Sequence, residues 1–252
     1  SFLPDTLLPE QISLPSNIKL NANFTGTKNI FKTQNHVITD FGEILIEAET
    51  NHDNSSEGRA YRSNLGLRDF DLGKLLSNDT IGKITQYTTV NGTLPPKKYS
   101  NATANLKTNI KSFTYQKYLY TDIELEGALT KEKINTNIAY ADSNLNFSLV
   151  GTIYRNDSAP NFEIDMNMEG ADLQALNLSN TDLKTKGKMK AKFSGNNLNN
   201  SSGELIFSNL VFLKDNELYE IDSIKTVLTN KENKSSVKLT SSFISADYSG
   251  TI

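Results

Sequence analysis

Two histidines, His36 and His52, are the only imidazoles in the chain, and no cysteine accompanies them. Each sits in a polar stretch, and a metal centre would need more donors at ligand spacing, so both read as ordinary surface residues. Carboxylates offer a second chemistry. "RDFD" at 68 to 71 and "EID" at 163 to 165 hold acids close enough in sequence for an acid/base pair or a calcium site. The same acids also fall at polar strand positions and helix N-caps, which is the simpler reading. Serine and threonine are abundant, yet none lies in a G-x-S-x-G turn, and neither G-x-G-x-x-G nor a P-loop occurs. The expectation is a protein that is not an enzyme, with no catalytic residue, metal or cofactor. The N-x-[ST] triplets "NFT" at 23, "NGT" at 91 and "NAT" at 101 have glycan-acceptor form, but Asn, Ser and Thr are common enough here to produce them by chance.

Charge narrows the partners. The 26 Lys and Arg against 29 Asp and Glu, in 252 residues with a net charge of -3 and no long single-sign run, do not suit a polyanion, so no nucleic acid is expected. No stretch approaches the roughly 20 apolar residues of a membrane helix. "SFLPDTLLPEQ" at the start lacks the basic-then-apolar order of a signal peptide. The end, "SADYSGTI", stops inside an alternating pattern, as in a segment of something longer.

The elements that must position any site are strands. Ile18, Leu20, Ala22 and Phe24 alternate with Lys19, Asn21 and Asn23, the two-residue period of a strand with one apolar face. The pattern recurs at Ile44, Ile46 and Ala48, at Leu119, Ile123, Leu125 and Leu129, at Phe162, Ile164, Met166 and Met168, and through to Ala246 and Tyr248. Clusters such as "NHDNSSEG" and "NNLNNSSG" punctuate it as turns. Short connections predict antiparallel neighbours in a long meander.

Two places depart from alternation. In "DFDLGKLLSND" and "GADLQALNLSNTDL" an Asp precedes a Leu-rich turn, the pattern of an N-capped short helix. These knuckles belong to a repeat: "YRSNLGLRDFDL" aligns with "FEIDMNMEGADL", "YTDIELEGAL" with "YEIDSIKTVL", and "LVGTI" with "YSGTI". The period is about 100 residues, longer than common solenoid repeats. The segments expected are 1–16 as an entry segment, 17–150 as a first module or modules, and 151–252 as a second.

Alternation marks one apolar face, including Leu106, Ile123, Leu125, Ile138, Phe147, Leu149, Ile164, Met166, Met189 and Phe207. Taken alone, amphipathic strands favour folding that face into a closed sandwich core over an open groove. The runs "LPSNIKLNANFTG", "DLGKLLSNDTIGKI", "YLYTDIELEGAL", "LVGTI" and "YSGTI" resemble the TamB proteins of Bacteroidetes, components of the translocation and assembly module within the AsmA-like group. The resemblance implies an all-β fold, a long twisted antiparallel sheet curled into a taco-like groove, with the ten residues above lining it. It further implies a periplasmic segment of a bridge anchored to the inner membrane. Such a bridge carries phospholipid acyl chains and works with an outer-membrane barrel partner in outer-membrane biogenesis. An alternative is an adhesion or glycan-binding β-protein whose Asn-rich loops carry recognition.

Overall fold

The structure, a computed structural model, describes residues 12–27, 29–51, 58–95, 101–155, 159–195, 201–231 and 234–250. They form fifteen strands of one open antiparallel sheet whose order is the order of the chain, β1 to β15. The all-β expectation is met. The chain divides after Glu124 into two compact units.

The first unit holds β1 (Ile18–Gly26), β2 (Ile30–Thr39), β3 (Gly42–Asn51), β4 (Arg59–Asp71), the short helix α1 (Leu72–Leu76), β5 (Ile81–Leu94), β6 (Thr103–Tyr115) and the start of β7 (Tyr118–Leu129). The second holds the rest of β7, then β8 (Lys133–Ala141), β9 (Leu145–Tyr154), β10 (Asn161–Asp172), β11 (Leu183–Ser194), β12 (Ser202–Lys214), β13 (Glu217–Lys231), β14 (Lys234–Ser241) and β15 (Ser245–Gly250).

Local chemistry sets the turns, and it repeats. Between β2 and β3 the Thr39 hydroxyl accepts from Phe41 N at 3.0 Å and Gly42 N at 3.1 Å. Between β8 and β9 Asp142 Oδ1 accepts from Asn144 N at 2.8 Å and Leu145 N at 2.7 Å. Between β14 and β15 Ser241 Oγ accepts from Phe243 N at 3.3 Å and Ile244 N at 3.0 Å. A short acceptor side chain thus closes the turn at each of these six-strand intervals, and Thr27 Oγ1 does the same between β1 and β2, accepting from Asn29 N at 3.4 Å and Ile30 N at 3.3 Å. The β6–β7 and β12–β13 hairpins turn on Gln116 and Lys117 (φ 50 and 66) and on Asp215 and Asn216 (φ 50 and 68). Two consecutive positive φ values mark the type I′ turn, whose twist matches the flanking strands. A six-strand unit therefore runs from β2 through β7 and again from β8 through β13, while the compact units part inside β7.

Each copy carries a bulge and a knuckle in the same place. The register slips between Leu67 and Phe70 in β4 and between Met168 and Ala171 in β10. At the bulge in β4 Asp69 takes a φ of 47, and the slip lets the strand end turn into the knuckle. Asp71 then caps α1, its Oδ1 accepting from Lys74 N at 2.9 Å, and Ser77 ends the helix in the left-handed region. The second knuckle differs from its expectation. Asp172 Oδ1 accepts from Ala175 N at 2.9 Å, but Asn177 is already left-handed (φ 59), so the chain makes hydrogen-bonded turns and not a helix. Leu176 seals this knuckle, at 1% the most completely buried large side chain among the described residues.

Alternation alone misplaces one strand end. It groups Leu119 with Ile123, yet Leu119 is exposed and Tyr120 is buried. Asp122, with a φ of 55, lies between them, and such a left-handed residue inside a strand restarts the alternation on the other parity.

Candidate functional site

The residues with the best claim to chemistry are engaged in holding the sheet together. His36 Nε2 lies 3.0 Å from Glu43 Oε2, and Arg68 Nη1 reaches the same oxygen at 3.2 Å. In "RDFD", Asp69 Oδ1 accepts weakly from Thr85 Oγ1 at 3.4 Å, and Asp71 is the α1 cap. In "EID", Glu163 pairs with Lys192 at 3.2 Å and Asp165 with Lys190 at 3.3 Å across β10 and β11. Among the described residues no group of three or more His, Asp or Glu side chains could hold a metal ion. His52 lies outside the described residues.

The charge pattern of β11 shows how the sheet sorts its faces. Leu183, Thr185, Gly187, Met189, Ala191 and Phe193 point to one side, half-buried or buried, while Lys184, Lys186, Lys188, Lys190 and Lys192 are exposed on the other. Farther along that charged face, Lys225 Nζ stands 2.8 Å from Glu204 Oε2. The hydrogen bond from Lys225, reinforced by its charge, holds the Glu204 carboxyl below the usual range.

On the apolar face of the second unit the predicted residues come into line. Ile138 stands opposite Leu149, Leu149 opposite Met166, Met166 opposite Met189, and Met189 opposite Phe207. Ile224 of β13 extends the row, so six consecutive strands put an apolar side chain in register. Beside it runs Tyr140–Phe147–Met168, the first two rings 6.3 Å apart. On the other side Ile164 faces Gly151 and Ala191. Directly opposed side chains on one face touch, which makes these rows continuous apolar tracks. The central row is half-buried: Ile138, Leu149, Met166, Met189 and Phe207 fall between full burial and exposure, as do Phe147, Ile164, Leu106, Ile123 and Leu125, while Tyr140, Gly151 and Ala191 in the flanking rows are buried.

The first unit has the same row with different side chains. Asn35, Ile46, Leu65, Thr88 and Thr108 oppose one another in sequence. Leu106 faces Val90 one row over, and Ile123 lies on β7 at the unit's end. Gln86, Thr88 and Thr108 are 7%, 8% and 9% exposed and hydrogen-bond to one another, a buried polar cluster that hydrophobic alternation does not single out. Its signal is present in "ITQYTTVNG", where Gln86 and Thr88 share the parity of Val90.

A depression follows the row of the first unit, whereas the groove of the second unit lies beside the turn and knuckle around Asp142 and Asp172 and is lined by none of Ile138, Leu149, Met166, Met189, Phe207 and Ile224; none of the ten residues predicted from the sequence lines either groove. In the first unit a groove of about 690 Å³ crosses β1 to β5 and includes Ala22, Asn35, Ile46, Leu65 and Thr88. In the second unit a groove of about 510 Å³ includes Leu145, Ala171, Thr185, Val211 and Leu218. Both volumes fall in the range of small-molecule sites. No helix among the described residues is long and apolar enough to cross a membrane. No family model, curated protein or solved structure matches the chain.

Proposed function

We propose that this chain is a segment of a TamB-type, AsmA-like bridge that shelters phospholipid acyl chains on the apolar face of its sheet and serves outer-membrane biogenesis from the periplasm. The reading rests on the row Ile138–Leu149–Met166–Met189–Phe207–Ile224. In a closed core such central residues would be fully buried, and on a free surface they would be costly to expose. Half-burial along an unbroken track suits a face whose occupant is removable. An acyl chain laid there gains roughly 25 cal/mol for each Å² of apolar area removed from water. The inner-membrane anchor and the outer-membrane barrel partner belong to the parent protein in this reading.

The test is to purify the chain and identify retained lipid by mass spectrometry, with Leu125→Glu and Phe147→Glu compared with Glu124→Lys. An ionised carboxylate on the face disfavours an apolar neighbour, whereas residue 124 is exposed on the polar side. Lipid should be lost from the first two folded variants and kept by the third. Equal lipid in all three would overturn the proposal. Unfolding of the two face variants would show a core instead, and lectin-like capture of glycans with no bound lipid would favour recognition by the loops.

A further inference from the structure

We propose that the first repeat carries a hydrogen-bond donor subsite, centred on Gln86, for the ester carbonyl of a glycerolipid; the proposal rests on reading the apolar face as an acyl-chain surface. The comparison of repeats carries it. Thr88 stands opposite Leu65 as Met189 stands opposite Met166, and Thr108 follows Thr88 as Phe207 follows Met189. Gln86 faces Leu67 where Gly187 faces Met168. At matching positions the second repeat is apolar or bare, and the first has an amide and two hydroxyls.

Polar groups on a buried face cost stability unless they are paired, and these are paired in one direction. Thr88 Oγ1 donates to Gln86 Oε1 at 2.5 Å. A hydroxyl has one proton, so in the 2.8 Å pair between Thr88 and Thr108 the proton comes from Thr108. The relay runs from Thr108 through Thr88 to the Gln86 carbonyl oxygen, and it polarises the Gln86 amide as a donor. That amide nitrogen donates to no described residue, nor is it among the buried unpaired atoms, so it retains contact with solvent. What it can take is an acceptor. Neither this row nor the neighbouring Leu67–Gln86–Ile110 row holds a charged side chain, which favours a neutral carbonyl over a phosphate. On an acyl lipid the neutral acceptor next to the apolar chain is the ester.

The experiment uses the full chain and two probes below their micelle concentrations, monopalmitoylglycerol and its ether analogue 1-O-hexadecylglycerol, which lacks only the carbonyl. Affinities are read by displacement of a fluorescent fatty acid. The native chain should bind the ester about threefold to tenfold more tightly than the ether, the worth of one hydrogen bond in a sheltered site. Gln86→Met, which keeps the length and removes the donors, should weaken the ester to the level of the ether and leave the ether unchanged. Equal affinity of the native chain for both probes overturns the subsite and leaves the acyl surface standing, and this comparison holds even if the variant does not fold. A preference that survives in folded Gln86→Met also overturns it. Binding of neither probe overturns the acyl surface and the subsite together.

Discussion

Asp71 and Asp172 perform the same task about a hundred residues apart: each carboxylate accepts the backbone N–H three residues ahead, from Lys74 and from Ala175, both at 2.9 Å. Each backbone N–H in turn donates to the tight turn beneath it, Asp71 to Phe41 O at 2.7 Å and Asp172 to Asn144 O at 2.8 Å. The carboxylate and the amide of one residue thus tie a knuckle to a neighbouring hairpin. Asp71→Ala and Asp172→Ala should each cost about 1 kcal/mol through the lost cap, read from the shift of a urea denaturation curve, with Asn tolerated better than Ala.

Gly42 has a φ of 137, and a Cβ there would lie 2.6 Å from Phe70 Cα and 2.7 Å from Asp69 O. These are backbone atoms, so no side-chain rotation relieves the overlap. Gly42→Ala should destabilise the protein by more than about 1 kcal/mol, adding steric conflict to an unfavourable backbone conformation, and should lower the thermal midpoint. An unchanged midpoint would mean that the β3 end is free to move.

The Thr108–Thr88–Gln86 relay predicts an order of stabilities. Thr88→Val leaves the acceptor of Gln86 and the hydroxyl of Thr108 without their partner and should cost about 1–3 kcal/mol. Thr108→Val removes only the first donor of the relay and should cost less. The same denaturation experiment ranks them, and a reversed order would contradict the proton direction assigned to the relay.

Glu204 titrates below an ordinary glutamate because Lys225 hydrogen-bonds to its charged form. A lowered folded-state value means that the pair contributes above the ordinary carboxylate range and loses that contribution as pH falls through the folded value. The carbon chemical shift of the Glu204 carboxyl should titrate below that of a free glutamate. In Lys225→Met its midpoint should rise, and a midpoint that does not move would assign the shift to another group.

Strand identity is legible from the chain because the half-buried sheet imposes a period of two, and β11 shows it residue by residue from Leu183 to Ser194. The repeat is legible in the knuckles and in the paired strand motifs. Parity across Asp122 is not, since a left-handed residue inside β7 is a backbone event that side-chain types do not announce. The second knuckle also departs from the helix its sequence suggests: Asn177 adopts the stop five residues after Asp172, one residue sooner than Ser77 does after Asp71. Hydrophobicity finds the row Ile138–Leu149–Met166–Met189–Phe207, and the same criterion passes over Gln86, Thr88 and Thr108, whose burial depends on hydrogen bonds supplied by neighbouring residues.

The strictly sequential strand order has a consequence for how the protein acquires its structure. Each strand's sheet partners are the strands before and after it in the chain, so each addition closes only a short loop and incurs little entropy. Assembly needs no distant segment to be present before an earlier one is complete. A polypeptide delivered end first, as from a ribosome or through a translocation pore, can zip up hairpin by hairpin as it arrives, with the growing edge as template for the next strand.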